Sequence, residues 1–218
     1  MKKIDLNTWE RREHFSFFRR IAYPIYNICF EMDVTKVKKF TKENGLPFSL
    51  TMVHLSTMAL NEIDNFKYRV RGDQVVLHDT LTPSYAEVRE NSDLFRMITV
   101  PFETDIRGFV KKAKEKSQNQ KQYFVVEDFA NKDDFVFYSA IPWITFTSID
   151  HTRNHNRDDA IPRISWGKYY WKDDQLILPY NMQVNHMFVD GIHLGMFKEK
   201  LEDKINELNY LIPGAKLS

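Results

Sequence analysis

Hydrophobic positions recur at the spacing of an α-helix in four segments of the chain. Residues 34–42, 49–63 and 104–117 have this pattern, and the third begins with a Thr or Asp that can cap a helix. Residues 191–208 form the clearest amphipathic segment. Its predicted apolar stripe is Ile192, Leu194, Phe197, Leu201, Ile205 and Leu208.

Short runs rich in β-branched and aromatic residues predict strands around these helices. The predicted strands are 66–70, 74–78, 81–88, 95–101, 135–139, 143–148, 163–171 and 175–183. Turns at 71–73, at Pro142 and at 172–174 join three pairs of them into hairpins. The polar segments 118–134 and 151–162 are predicted as loops, the first with one short helix.

Strands mixed with well-separated helices indicate an α+β fold. We therefore predict a two-layer α/β sandwich, in which helices cover one side of a mixed β-sheet. The chain has 218 residues, which is enough for one substantial domain spanning 1–218.

Composition and charge exclude several classes of protein. The 31 Lys and Arg residues against 30 Asp and Glu give a net charge of +1, which argues against a nucleic-acid partner. A single cysteine, Cys29, excludes an intrachain disulfide and a Cys-rich zinc site. The most apolar stretch, 135–146, contains Pro142 and is too short to cross a membrane, and no apolar run follows the charged N-terminus. We expect a cytoplasmic protein with no membrane partner.

The seven glycines form none of the common phosphate-binding patterns. No G-x-G-x-x-G and no G-x-x-x-x-G-K-[ST] is present, and no serine lies in G-x-S-x-G. The sequence therefore disfavours a conventional kinase, dehydrogenase or serine hydrolase.

The strongest candidate for chemistry is His186, which is followed at short spacing by Asp190 and Gly191. A histidine where a strand enters a loop is placed for acid–base work, and imidazole exchanges protons near neutral pH. His-x-x-x-Asp alone is weak, because such spacings occur by chance. The alternative is a buried histidine with Asp190 capping the helix that begins at Gly191.

Four separated segments extend this motif. They are Trp9 to Phe15, 139–143, 167–169, and 178–191 followed by His193. In order and spacing they resemble the chloramphenicol acetyltransferases, from Trp9 to about Leu208. The resemblance implies a chloramphenicol acetyltransferase-like fold and transfer of acetyl from acetyl-CoA to a hydroxyl of chloramphenicol, which inactivates the antibiotic.

The resemblance also implies roles for four residues of this chain. His186 acts as general base on the acceptor hydroxyl, whose oxygen attacks the thioester directly, with no acyl-enzyme. Ser139 donates to the oxyanion of the tetrahedral intermediate. Asp190 pairs with Arg11, which holds the N-terminal segment against the loop of His186.

Further positions match those that bind the two substrates in that family. Phe18, Phe95, Phe124 and Ser165 are expected to bind the acceptor. Trp143, Lys168 and Tyr169 are expected to bind acetyl-CoA, which is a co-substrate; no permanently bound cofactor or metal is expected. The resemblance further implies a homotrimer with active sites between subunits, and 31 aromatic residues in a chain this short are consistent with a buried interface.

Three departures leave the acceptor open. The family usually has two consecutive histidines where this chain has Asn185 and His186, and a cysteine near the acceptor is replaced by Pro24. The segment 150–162 is unusually polar, with His151 where the family has a leucine near the acceptor. A same-superfamily acyltransferase with another hydroxyl or thiol acceptor is therefore an alternative. So is a non-catalytic ligand-binding module, against which the joint presence of His186 and Ser139 argues.

The same segment contains a spacing that suits zinc. His151 and His155 lie four residues apart, and Asp158 and Asp159 follow. The surrounding Asn and Arg residues give no apolar helix face, so a solvated loop is the favoured interpretation.

Overall fold

A computed structural model describes residues 1–208 of the chain. The helices are α1 (Arg12–Phe18), α2 (Thr35–Asn44), α3 (Phe48–Asn61), α4 (Ile106–Asn119), α5 (Val126–Phe129) and α6 (Gly191–Asn206). The strands are β1 (Lys2–Lys3), β2 (Ile25–Asp33), β3 (Tyr68–Arg71), β4 (Gln74–Leu77), β5 (Thr82–Val88), β6 (Phe95–Thr99), β7 (Phe135–Ala140), β8 (Arg163–Trp166), β9 (Tyr170–Lys172) and β10 (Gln175–Asn185). A single 3₁₀ turn at Asp64–Phe66 precedes β3.

The strands form two sheets. In the seven-stranded sheet the order is β2-β10-β8-β7-β5-β6, and β9 also pairs with β10. β7 runs parallel to both β5 and β8, whereas the other pairings are antiparallel. The small sheet has the order β1-β4-β3. The mixed sheet and its helices confirm the predicted α+β class.

The long strand β10 separates two different buried layers. Tyr180 faces the helices, because its hydroxyl donates to Ser56 of α3 and its ring lies 6.0 Å from that of Phe197 in α6. Asn181 and Gln183 alternate with the residues that face the helices, so they lie on the other face of β10, and they are also buried. They are covered by the segment that follows β7, where Asn181 Nδ2 donates to the carbonyl of Ile149. The main core therefore lies on the helical side, and the opposite face of β10 is polar at Asn181 and Gln183.

Local sequence signals located most elements correctly. The first predicted hairpin is present, with Arg71 opposite Gln74 and Gly72 at φ +61°, a conformation that favours glycine. Asp105 caps α4 by accepting from the backbone N–H groups of Arg107 and Gly108. α1 and β2 were not among the elements predicted from the sequence. None of the helices in residues 1–208 is long and apolar enough to span a membrane.

The predicted strand 143–148 is wrong, and the predicted strand 163–171 is interrupted. The chain after Pro142 folds over the end of β8, where the Lys168 N–H donates to the Ile144 carbonyl at 2.7 Å. A Cβ on Gly167 would lie 2.9 Å from that carbonyl oxygen, so only glycine permits the approach. This contact ends β8 at Trp166 and takes the place of a hairpin.

The predicted stripe of α6 needs one correction. Leu194, Phe197, Leu201 and Ile205 are buried, but Ile192 is 71% exposed. Ile192 precedes Leu194 by two residues, which places it roughly 200° around the helix, on the side away from the buried positions.

Asp133 joins the small sheet to the large one. Its carboxylate accepts from Arg71 at 2.5 and 3.0 Å and lies 2.8 Å from His78 Nε2, while its carbonyl accepts from buried Arg69. Burial would raise the pKa of Asp133, but hydrogen bonds and charge from His78 and Arg71 outweigh it and hold that pKa well below its usual range.

We expect this depressed pKa to make the protein acid-sensitive. A carboxyl with a lowered folded-state pKa contributes stability that is present above its unfolded pKa, near 4, and is lost as the pH falls toward the folded value. Asp133→Asn should therefore lower the free energy of unfolding at pH 7 and flatten its decline below about pH 5. Urea unfolding from pH 7 downward checks this, with Asp174→Asn in an exposed turn as control. Parallel pH curves for wild type and Asp133→Asn would contradict it.

Candidate active site

His186 follows the last residue of β10 and stands between two aromatic rings. Its backbone N–H donates to the Pro24 carbonyl at 2.7 Å, which ties it to the start of β2. The Phe18 ring is stacked on the imidazole, with centroids 4.0 Å apart and planes 12° apart. Tyr26 packs at 4.8 Å. The imidazole is therefore held in one orientation by packing.

The two ring nitrogens of His186 have different surroundings. Nδ1 is enclosed by protein, and it lies 3.0 Å from Asp190 Oδ1 without the alignment of a hydrogen bond. The side chain as a whole is 37% exposed. The accessible nitrogen is therefore Nε2, which is free to take a proton from a bound molecule.

Every backbone carbonyl from residue 186 to residue 189 accepts a hydrogen bond from a distant side chain. Arg11 donates to the carbonyls of His186 and Met187, at 3.2 and 2.8 Å. Asn65 donates to the carbonyl of residue 188 at 2.7 Å, and the Tyr26 hydroxyl donates to that of residue 189 at 3.2 Å. The loop is thus fixed before any substrate binds, which is a requirement for efficient proton transfer. Tyr26 and Asn65 could not be identified from the sequence, because an ordinary strand tyrosine and a turn asparagine carry no local signal.

Arg11 also binds Asp190 through two parallel hydrogen bonds, each 2.6 Å long. Hydrogen bonds from Arg11 lower the pKa of Asp190, outweighing the opposing effect of burial. The carboxylate is therefore occupied by arginine. Asp190 is also the residue that precedes α6 as its N-cap, and His193 Nδ1 accepts from the Asp190 N–H at 2.8 Å. The predicted Arg11–Asp190 pair is present, and its functional role stays a prediction.

An aromatic cluster holds the N-terminal segment beside the loop of His186. The Trp9 ring packs against Phe15, Tyr68 and Phe188, with centroids 5.9, 5.1 and 6.2 Å away. Because Phe188 belongs to the loop of His186, this packing places Arg11 where its guanidinium reaches that loop.

Asn185 connects the same loop to the polar segment 150–162. Its Oδ1 accepts from the Met187 N–H, and its Nδ2 donates to the carbonyls of Arg157 and Asp159, at 2.9, 2.8 and 3.0 Å. It is almost completely buried. The asparagine that replaces the usual histidine is therefore an anchor between two loops.

Removal of Arg11 should destabilise the protein. Arg11→Ala leaves Asp190 without its partner and removes the hydrogen bonds to two loop carbonyls. The pair is mostly buried, because the two side chains are 12% and 27% exposed. We expect the free energy of unfolding to fall by about 2–4 kcal/mol and the midpoint of thermal unfolding by roughly 5–10 °C. Calorimetry checks this, with the exposed neighbour Arg12→Ala as matched control. Equal midpoints for Arg11→Ala and wild type would contradict it.

Ser139 lies on β7 and lines a pocket of about 500 Å³ on the face of the sheet away from the helices. Phe95 lines the same pocket, and its ring contacts that of Phe124 at a centroid distance of 5.7 Å. Within residues 1–208 the Ser139 hydroxyl has no hydrogen-bond partner, so it is available as a donor. The size of the pocket suits a small organic molecule.

The predicted coenzyme residues lie near the same end of the sheet. Trp143, which lines the pocket, is 66% exposed. Lys168 is held beside it by its backbone contact with Ile144. Tyr169 contacts the Phe48 ring and lies 5.0 Å from Lys38 Nζ, so aromatic and basic groups are adjacent on this surface.

The structure divides the predicted site residues into two groups. Ser139 is opposite Ser165, and Ser165 is opposite Asn181 in the next strand. His186 lies five residues beyond Asn181, or about 17 Å further along β10. Phe18 is with His186, whereas Phe95 and Phe124 are with Ser139. Ser165 is fully buried and contacts His151 instead of opening into the pocket.

The two histidines of the candidate zinc spacing do not face each other. Segment 151–162 has no helix, so a spacing of four residues does not place His151 and His155 on one face. His151 Nε2 lies 2.7 Å from Ser165 Oγ, and the His155 ring lies against Tyr23. No group of three or more potential metal ligands occurs among residues 1–208.

Comparison with solved structures identifies the class of protein. A chloramphenicol acetyltransferase structure superposes with a TM-score of 0.87 and 29% sequence identity, covering 93% of this chain and 99% of that one. A probable dihydrolipoamide acetyltransferase from Listeria monocytogenes has the same fold, with a TM-score of 0.64, 16% identity and 99% coverage of each chain. The fold is that of an acyltransferase.

Comparison of sequences identifies the family. A family model described as chloramphenicol acetyltransferase matches residues 1–202, and the chain belongs to that family. Chloramphenicol acetyltransferase 3 of Escherichia coli is 26% identical over 207 residues, which cover 94% of this chain and 96% of the relative. The chloramphenicol acetyltransferase of Clostridium perfringens is 28% identical over 207 residues, covering 94% and 98%. The resemblance inferred from the sequence motifs is confirmed.

Proposed function

We propose that the protein transfers the acetyl group of acetyl-CoA to a hydroxyl of chloramphenicol, with His186 as general base. The observation that carries this proposal is the placement of His186, with Nε2 accessible and its loop fixed at four consecutive carbonyls. Membership of the chloramphenicol acetyltransferase family supports the acceptor.

The reaction proceeds in two steps without an acyl-enzyme. His186 Nε2 removes the proton of the hydroxyl as its oxygen forms a bond to the thioester carbon, and the carbonyl electrons move to oxygen. The Ser139 hydroxyl donates to that oxyanion. The C–S bond then breaks, and the CoA sulfur leaves with the proton held by the imidazolium.

Such a mechanism requires two copies of the chain. The base and the oxyanion donor must both reach one tetrahedral centre, within about 3 Å each. Separation of His186 from Ser139 along the sheet prevents this inside one chain. We therefore place His186 of one copy against the Ser139 pocket of the next, in the homotrimer that the family resemblance implies. Exposed apolar residues support a contact surface, among them Ile28 on the edge strand β2 and Ile144 beside the pocket.

The remaining predicted residues divide between the two substrates. Phe95, Phe124 and the Phe18 of the adjoining copy supply aromatic walls for a flat aryl acceptor. Lys168 is suited to the coenzyme phosphates, and Trp143 and Tyr169 are suited to its adenine or pantetheine arm.

Release of free thiol from acetyl-CoA on addition of chloramphenicol tests the proposal. We expect thiol and acetylated chloramphenicol in equal amounts, and an assembly of about 78 kDa, three copies of the 26.0 kDa chain. Thiol release with other alcohols or thiols but never with chloramphenicol would show that the acceptor is a different compound. The polar residue His151 in the pocket favours this alternative. Binding of chloramphenicol without any thiol release would indicate a ligand-binding module.

A further inference from the structure

The Ser139 pocket is mostly apolar, and His151 is its unusual member. Ten of the fifteen residues that line it are apolar. Among the polar ones, Arg163 is engaged elsewhere, since it binds Asp159 at 2.8 Å and the Ile161 carbonyl at 3.1 Å. Asp93 and Thr152 are exposed. His151 is therefore a half-buried polar ring in an apolar surrounding.

Two contacts fix the position of this ring. Its Nε2 lies 2.7 Å from the hydroxyl of Ser165, which is completely buried on β8. Its backbone N–H donates to Asp150, whose carboxylate also accepts from Asn27 and Gln183. Ser165 thus serves to hold His151 and not to bind a ligand directly.

The remaining ring nitrogen is the one that a ligand can use. Among residues 1–208, Nδ1 of His151 has no hydrogen-bond partner. Burial, followed by the nearby charge of Arg163, lowers the pKa of His151, which favours the neutral imidazole. A neutral imidazole with Nε2 occupied presents one polar atom, a donor or an acceptor according to the direction of the Ser165 hydrogen bond.

We propose that His151 determines acceptor specificity, because its Nδ1 forms a hydrogen bond with a polar group of the acceptor other than the reacting hydroxyl. This inference rests on the proposed function and narrows the substrate class to aryl alcohols that carry such a group. An acceptor with an alkyl group at that place removes water from Nδ1 without replacing its hydrogen bond. A site built in this way discriminates against the analogue that lacks the polar group.

The test uses chloramphenicol and two analogues, each with one polar end replaced by an alkyl group of similar size. One analogue lacks the nitro group, and the other lacks the dichloroacetamide. We expect wild type to prefer chloramphenicol to at least one analogue by about 10-fold in kcat/KM. His151→Leu should remove that preference for the same analogue.

Two conservative variants distinguish the role of Nδ1 from that of Nε2. His151→Asn keeps a polar atom near the place of Nδ1, so it should retain most of the preference. His151→Gln keeps one near Nε2 and Ser165, so it should lose the preference while melting like wild type. His155→Leu, in the same loop but outside the pocket, should behave as wild type.

The outcomes distinguish this inference from the proposed function. If wild type acetylates none of the three compounds, chloramphenicol is not the acceptor and the inference fails with it. If wild type acetylates them and His151→Leu leaves both preferences unchanged, only the role of His151 is wrong. Loss of all turnover in a folded His151→Leu would instead place this histidine in the proton transfer and overturn the specificity role.

Discussion

His186→Ala should lose nearly all turnover while remaining folded. The variant has no group at the accessible Nε2 position to take the acceptor proton, and loss of a general base typically costs about 10²–10⁴-fold in kcat. The fold should be preserved, because His186 contributes only its backbone to the contacts with Pro24 and Arg11. Steady-state thiol release and a thermal melt check the two halves of this expectation.

Two further variants make the result specific. His186→Gln keeps a hydrogen-bonding group of similar size but no base, so it should be as inactive as the alanine variant. His14→Ala, on the exposed face of α1, should be fully active. Near-wild-type turnover by a well-folded His186→Ala protein would show that another group removes the proton, and the proposed mechanism would have to be abandoned.

Co-expression of two nearly inactive variants should restore activity. Ser139→Ala alone should lower kcat by roughly 10²-fold with little change in the affinity for acetyl-CoA, because the oxyanion exists only near the transition state. If each site takes His186 from one copy and Ser139 from its neighbour, random co-assembly with His186→Ala makes about one quarter of the sites wild type. Co-expression of the two variants, followed by purification of the mixed assembly, should therefore recover about one quarter of wild-type turnover.

The same experiment tests where the site lies. Were His186 and Ser139 used within one chain, every site of the mixed assembly would lack one of them, and turnover would stay at the level of the single variants. Simple mixing of the two purified homo-oligomers, without exchange of subunits, is the matched control and should recover nothing.

The sequence predicted which residues belong to the candidate site better than it predicted where they lie relative to one another. His186, Arg11 and Asp190 were identified from motifs, and the structure brings these three together. The motifs also included Ser139, but nothing in its spacing showed that the sheet register separates it from His186. Ser165 was expected to face the acceptor, and the structure instead turns it toward His151.

Failures of the fold prediction have a similar cause. The strand pattern of 143–148 is real as a local propensity, but the tight approach of Ile144 to Gly167 overrides it. Ile192 was assigned to the apolar stripe of α6, but it lies roughly 200° around the helix from Leu194, on the side that faces solvent. Propensity describes which secondary structure a segment favours by itself. Tertiary packing decides whether that segment finds a strand or a buried surface to pair with.

The sequence by itself determined every helix except α1, the hairpin at Gly72, the acyltransferase motif and the family. Each of these depends on residues that are near one another or on a fixed order along the chain. Only the tertiary structure decided how the loop of His186 is held. Its carbonyls accept from Arg11, Tyr26 and Asn65, which lie between 123 and 176 residues away. Such contacts depend on which strands pair and in what register, and no local pattern specifies that pairing.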